Sequence, residues 1–553
     1  MGGGAKKELV KEGGMIRSSM IFSSLTLVSR FLGFARDVFI TAKLGASATP
    51  AADAFQTALA FPNLFRRIFA EGAFAAAFVP AYSKSLEIDG EETADRLAGD
   101  AMATIAAATI VLTVVCCLAM PWLMYGINFG FADDPVKFKL AVILTQITMP
   151  YLPCMAIVAL MSGVLNTRGR FVLSAVAPVV LNLCLLVAVI PRHDPVAAAY
   201  ACSIAVIVAG VLQAILLAWG VKRTGARIRW RLPTLTPAVK ELVGRAVPGA
   251  IAASAVQVNI FVSSNLASFE NGGRTWLATA DRLYQLPLGL VGVAIGVALL
   301  PRLSRAVHSG DQASAQSSMD QAVTFAMALT LPAAAAMAAI PGFLSDALYV
   351  RGQFTAFDGQ QTAAALFFYG LGTPAFVLQQ LYSRAYFARQ DTKSPMRFAL
   401  ISMVVNIVLG VALFQVIGVP GIAAATALAS WINVGQMALR LSRRGDYSPT
   451  KATWSRLARI GVATAVLAAM LIAAGHWRAL IEVPFQLFHL NGKAVGAKEI
   501  ALALTVAVGG LAYLPLLFAT GGLKLAEVKA ALRRRTGPVE EDLGNTPSGP
   551  GLL

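Results

Sequence analysis

Histidine is the scarcest chemistry-bearing residue in this chain: four among 553 positions, His193, His308, His476 and His489, all in loops or at the ends of apolar runs. That argues against metal catalysis and against a histidine proton relay buried in a membrane. Cysteine is nearly as rare. Cys116, Cys117, Cys154, Cys184 and Cys202 fall within apolar runs or at their ends, show no metal-ligand spacing, and read as packing residues. No GxxxxGK[ST] loop occurs, so the usual phosphate cradle of an ATPase is missing. Charged residues make up 14% of the chain, against roughly 25% in a soluble domain, and no soluble segment is long enough for a catalytic domain. These absences leave a transporter without a fuel-hydrolysing unit, and no metal or organic cofactor.

What is present is apolar length. Hydrophobic residues reach 57%, and windows of about 20 residues, enough to cross a bilayer as a helix, recur throughout. Fourteen spans are expected near 18–42, 54–82, 101–126, 138–164, 172–191, 197–220, 243–268, 276–300, 318–341, 361–387, 396–416, 421–440, 457–475 and 499–519. Long apolar runs with brief polar gaps suit helices, whereas a barrel would show short alternating segments. The first run is too long and too charged for a cleaved signal, and reads as a retained span. Residues 1–14 read as a leader, and the tail after Arg535 as disordered.

The chain is basic, with a formal charge of +17, and the position of the charge decides its meaning. If the N-terminus is cytoplasmic, 31 lysines and arginines fall in cytoplasmic segments and nine in the opposite loops. The positive-inside rule then sets both termini in the cytoplasm. The basic segments mark topology and anionic-lipid contact, without nucleic acid.

An internal repeat runs at an offset near 224 residues: Pro150 matches Pro374 and Asn182 matches Asn406, while Gln213 and Gln436 stand 223 apart. The offset covers six spans, an even number, so the copies share one orientation about an axis along the membrane normal. The expected fold is all-α: two six-helix lobes, 15–242 and 243–450, around a central cavity. Spans 13 and 14 (451–523) lie outside the repeat, and a basic segment and tail (524–553) follow.

Six arginines lie inside expected spans: Arg30, Arg36, Arg66, Arg67, Arg282 and Arg384. Lipid exposure of an arginine at the bilayer centre costs about 2.5–3.5 kcal/mol, so the set must face protein or a wet cavity. In "SRFLGFARD", Ser29, Gly33 and Arg36 share one helical stripe, with Arg30 and Asp37 on the adjoining one. Gly33 leaves room for a bulky ligand or a bend. In "PNLFRRIFAEGAF", Asn63, Arg67 and Glu71 form a row in which Arg67 and Glu71 pair, leaving Arg66 freer. Asp281 and Arg282 sit near the outer end of span 8, and Asp53 opens span 2. Arginine grips phosphate with a planar fork and keeps its charge. The cavity therefore suits an anion, and a phosphate fits it.

The segments "SRFLGFARD", "ADAFQTALAFPNLFRRIFAEGAFAAAFVPAYS", "ADRLYQLPLGLVGVAIGVALLPRLS" and "LYVRGQF" resemble the MurJ (MviN) lipid II flippases of bacteria, within the multidrug/oligosaccharidyl-lipid/polysaccharide exporter superfamily. The resemblance runs from about Met15 to Lys529. It implies a multi-pass inner-membrane protein of peptidoglycan biosynthesis. Such a protein moves lipid II, an undecaprenyl-diphosphate-linked disaccharide pentapeptide, to the periplasmic leaflet by alternating access. It implies a tail-holding groove at spans 13 and 14. It also implies substrate-binding roles for Ser29, Arg30, Gly33, Arg36, Asn63, Arg66 and Arg282, and charge-pairing or gating roles for Asp37, Asp53, Arg67, Glu71 and Asp281. The sequence leaves open whether membrane potential or a monovalent cation drives the cycle, and which cell-wall proteins are partners. The rival readings weighed are a cation-coupled drug or polysaccharide-lipid exporter of the same fold and a polyprenyl-phosphate enzyme. The basic cavity disfavours the first for cationic drugs, and the lack of interfacial carboxylate or histidine clusters disfavours the second.

Overall fold

A computed structural model of the chain describes residues 25, 28–65, 74–228, 232–298, 300–486, 489–490, 493–494 and 496–523. The expected Arg66, Arg67 and Glu71 lie outside the described residues, as do the side chains of 290–302. The first lobe contains α1 (28–44), α2 (Ala51–Phe65), α3 (Phe74–Ile88), α4 (Glu91–Ile127), α5 (Pro135–Thr148), α6 (Tyr151–Thr167), α7 (Phe171–Val189) and α8 (Pro195–Arg223). The second contains α9 (Pro237–Ala267), α10 (Gly273–Ala298), α11 (Leu300–His308), α12 (Gln312–Ala339), α13 (Pro341–Tyr349), α14 (Ala356–Ala388), α15 (Lys393–Ile417) and α16 (Val419–Arg443). Helices α17 (Lys451–His476), α18 (Arg478–Glu482) and α19 (Ala497–Ala519) close the described chain, joined by a two-residue-per-strand hairpin at His489–Leu490 and Lys493–Ala494.

In their described residues, the fourteen expected spans coincide with helices, the fourth broken by a turn at 149–150. Ten described helical segments are long and apolar enough to cross a membrane. The other four expected spans fall on α1, α2 with α3, α9 and α10, whose side chains are described only in part. Polar caps begin several helices where the chain turns. Asp134 accepts from the backbone N–H groups of Val136 and Lys137, and Thr355 forms a capping box with Asp358 at the start of α14.

The repeat is visible in the contacts. Asn182 of α7 reaches α1, and its counterpart Asn406 of α15 donates to Asn259 of α9 at 2.6 Å. At the basic-loop end, Arg168 caps α6 and donates to the Thr224 carbonyl at 3.4 Å, while Arg389 caps α14 and donates to the Asp446 carbonyl at 2.8 Å. The copies also differ. Around Pro150 the fourth span breaks into α5 and α6, whereas α14 runs unbroken through Pro374.

Helix packing inside a bilayer relies on close approach of small residues. Gly372 of α14 and Ala427 of α16 meet in this way: a Cβ at Gly372 would stand 2.8 Å from the Ala427 Cβ. The final pair, α17 and α19, packs on α12 and α13 through a cluster that includes Phe343, Ala347, Leu467, Leu471 and Tyr513. The Tyr513 hydroxyl donates to the Ala328 carbonyl at 2.9 Å.

Candidate functional site

The charged stripe of α1 faces two directions. Arg36 is buried, its side chain only 7% exposed, and a guanidinium in that position requires partners. Its Nε and Nη2 donate to Asp37 Oδ1 at 2.9 and 2.6 Å, and its Nη1 donates to Asn182 Oδ1 at 2.9 Å. The Asn182 Nδ2 donates in turn to the Ser29 carbonyl at 3.0 Å. Gly33 lies beneath the same amide, so Asn182 occupies the room expected there for a ligand or a bend: a Cβ at Gly33 would stand 3.5 Å from Asn182 Nδ2.

The other Asp37 oxygen faces the second lobe, where Arg282 Nε of α10 approaches Oδ2 at 3.0 Å. One carboxylate thus bridges an arginine from each lobe. Unlike Arg36, the Arg282 side chain is 47% exposed. Gln285 Nε2 donates to Asp281 on the next turn of α10. Arg30, one and two-thirds turns from Arg36 and exposed, lies against Gly289, where a methyl group would overlap its guanidinium. Seven residues of helix separate Arg282 from Gly289, so the Arg30 level lies about 10 Å nearer the basic-loop end than the Arg36–Asp37–Arg282 cluster.

Toward the charge-poor end the lobes are sealed together. Asp53 is fully buried at the start of α2. It accepts from Lys137 Nζ at 2.6 Å, Gly272 N at 2.9 Å, Thr275 N at 3.0 Å and Thr275 Oγ1 at 2.7 Å. Lys137 Nζ also donates to Asn271 Oδ1 at 3.2 Å, and Arg274 Nη1 donates to Asn128. Beside this network, Ser47 N donates to Asp358 Oδ1 at 3.0 Å and Gln353 N to the Ala42 carbonyl at 2.8 Å. Left-handed glycines allow that approach: Gly45 and Gly352 have φ of 76° and 60°, and a Cβ on either would meet the opposing backbone.

Below the seal lies a cavity of about 130 Å³, lined by Asp37, Thr41, Gln56, Thr279, Asp281, Arg282, Gln285 and Tyr349 among polar residues, and by Ile40, Phe55, Leu59 and Ala278. Tyr349, the last residue of α13, is fully buried and its hydroxyl has no partner among the described residues. Burial pushes the phenol above its ordinary pKa and the nearby Asp37 carboxylate adds to the shift, so the group remains an O–H donor.

Of the residues singled out in the sequence, Ser29, Gly33, Arg36, Asp37 and Arg282 meet around one carboxylate and one amide. Asp281 lines the cavity beside them, and Arg30 lies apart, against Gly289. Asn63 donates to the Leu59 carbonyl within α2 at 2.8 Å. Asp53 pairs with Lys137, which its sequence position placed among the loop charges. Sequence reasoning also missed Gln56, Gln285, Tyr349 and the contacts of Asn182. The repeat register marked Asn182, but its link to Arg36 spans 146 positions. Among the described residues no group of three or more His, Cys, Asp or Glu could hold a metal.

A family model described as "Lipid II flippase MurJ" matches residues 40–489. A probable lipid II flippase MurJ of Rhizobium tropici is 38% identical over 527 residues, covering 94% of this chain and 97% of the relative. A lipid II flippase MurJ of Burkholderia cenocepacia is 33% identical over 474 residues, 84% and 90% of the two chains. Among solved structures, lipid II flippase MurJ in an inward closed conformation superposes with a TM-score of 0.69 at 23% identity, covering 90% of this chain and 98% of that one. An inward-facing multidrug resistance MATE family transporter of the MOP superfamily superposes at 0.60 with 13% identity, covering 77% and 98%. The last two likenesses are of fold.

Proposed function

Because the chain belongs to the lipid II flippase MurJ family, we propose that it carries lipid II, a polyprenyl-diphosphate-linked peptidoglycan precursor, from the cytoplasmic to the periplasmic leaflet by alternating access. The observation that carries this reading is the placement of two solvent-reaching guanidinium groups, Arg30 and the Asp37-bridged Arg282, about 10 Å apart along the lobe interface and on one side of a seal at the charge-poor end. Arg30 and Arg282 grip the diphosphate, each able to present a two-point fork. Arg36 joins them when Asp37 exchanges partners, and Arg66 supports the set. Asp37 and Asp281 hold the arginines in place, and Asp53 holds the seal.

Membrane potential acting on the moving charges drives the cycle, at about 2.3 kcal/mol per charge per 100 mV. Acids in the chamber are already engaged by arginine or amide, which suits an anionic cargo better than a cationic drug. The test is complementation in bacteria depleted of their own flippase, with the lipid-linked precursor measured in each leaflet. Arg30→Ala and Arg282→Ala should insert normally and leave the precursor on the cytoplasmic side. Undiminished translocation in both variants would overturn the proposed grip.

A further inference from the structure

Spans 13 and 14 lie outside the repeat, yet their charge-poor ends are tied to the segment that closes the seal. Three of the nine basic residues expected in the charge-poor loops, Arg351, Arg478 and Lys498, converge on the C-terminal half of α13 and the residues just after it. Arg478 pairs with Asp346 and Glu482, and its guanidinium lies 4.6 Å over the Phe343 ring. Lys498 Nζ, in the first turn of α19, reaches Asp346 Oδ1 at 3.3 Å and donates to the Val350 carbonyl at 2.6 Å. Arg351 Nη2 meets Glu499 Oε1 at 3.0 Å and donates to the Ala347 carbonyl at 2.6 Å. Three cations thus balance three carboxylates. Two of them also satisfy carbonyls at the C-terminal end of α13, where positive charge is favoured. Apart from Arg478–Glu482, each pair joins α13 or the residue after its cap to α18 or α19.

Helix α13 bridges two cores. Leu344 and Leu348 pack both on the cluster of the final pair and on the cluster around Trp276, which takes in Phe34 and Val38 of α1 and Ala46 after it. The Tyr349 ring meets Phe34 edge-on at 6.1 Å. Just past Val350 come Gly352 and Gln353, which touch the Ala42 backbone. Residues 350–353 are therefore gripped at both ends: α19 holds Val350 and Arg351, and α1 holds Gln353. A short segment fixed on one side loses less conformational freedom when it docks on the other, so the first grip favours the second. We infer that the final helix pair is a buttress of the seal. Through the ion cluster it holds the 350–353 segment in the position that closes on α1, and its loosening lets the charge-poor end open. Spans 13 and 14 thereby act on the gate, whatever cargo the chamber carries.

The seal contact itself is the reporter. In the full chain, with its five native cysteines replaced by alanine, Ala42→Cys and Gln353→Cys should form a disulfide at a rate that tracks closure. Arg351→Glu and Glu499→Arg each set like charges against each other across the joint between α13 and α19. Either should slow that rate about fivefold or more, the scale of a typical coupling between sites. The exchanged pair, Arg351→Glu with Glu499→Arg, should bring it back to within about twofold of the starting chain, because the two changes meet in one contact and do not add. Glu499→Gln and Asp346→Asn keep the shape and should slow the rate in the same direction, which carries the test if a reversed charge prevents insertion. Arg192→Glu, at an exposed residue of another charge-poor loop, should leave the rate unchanged. Single variants that insert and cross-link at the starting rate, an exchanged pair without recovery, or an equal loss in Arg192→Glu would overturn the buttress. The measurement uses no cargo, so such a failure leaves the proposed translocation standing.

Discussion

Arg30 owes its position to a missing side chain on another helix. Its guanidinium occupies the space where Gly289 of α10 would carry a Cβ, so a residue type that serves close packing of membrane helices is here also the floor of a charge site. Gly289→Ala separates the two roles. Alanine favours helix over glycine by up to about 1 kcal/mol, and the atom it meets is the far end of a flexible arginine, so thermal unfolding in detergent should shift by only a few degrees. The displaced guanidinium should nevertheless lose its aim, and translocation should fall at least tenfold. A variant that transports normally would show that Arg30 does not work from this position. The arginines themselves were legible, because charge at bilayer depth has few explanations. Their surroundings were not. Asn182 is neutral and common in character, and only the fold brings its amide to Arg36 and Ser29.

At the scale of the helices, the repeat was readable and the asymmetry between its copies was read only in part. The same asparagine in each lobe clamps the first helix of that lobe, but in the first lobe it meets an arginine and in the second it meets Asn259. The charged machinery therefore belongs to one copy, with α10 of the other copy leaning in through Arg282. The joint at the charge-poor end was harder to foresee, because Lys137 reads as a loop lysine until Asp134 caps α5 and turns it inward. Removing one partner of a buried ion pair costs about 3–5 kcal/mol, whereas replacing both with neutral groups of similar size is often close to neutral. Asp53→Asn should accordingly lower the unfolding temperature strongly. Asp53→Asn combined with Lys137→Met should recover part of it, because the asparagine oxygen can still accept from Thr275 N and Oγ1, whereas the Gly272 N–H, which donates to the other carboxylate oxygen, loses its acceptor. A double variant no more stable than the single would show that the charge pair is not what holds α2, α5 and α10 together.

For the whole molecule, the all-helical architecture and the order of the membrane-length helices followed from bilayer thickness and hydropathy, since each crossing needs its own apolar length. The conformational state did not, because it depends on which distant loops touch. Here the end of α1 and the loop after it meet the loop before α14 and its first turn: Gln353 N donates to the Ala42 carbonyl at 2.8 Å, and Ser47 N donates to Asp358. Alternating access requires that this contact open once in every cycle. A backbone hydrogen bond of that length brings the two Cα atoms within the reach of a disulfide. Ala42→Cys with Gln353→Cys, in a chain whose five native cysteines are replaced by alanine, should therefore cross-link on mild oxidation. The oxidised protein should leave the precursor on the cytoplasmic side, and reduction should restore translocation, because the lock acts on the motion and not on the binding groups. Continued translocation by fully cross-linked protein would mean that the lobes need not part at this end, and the cargo would have to leave by a route that bypasses the seal.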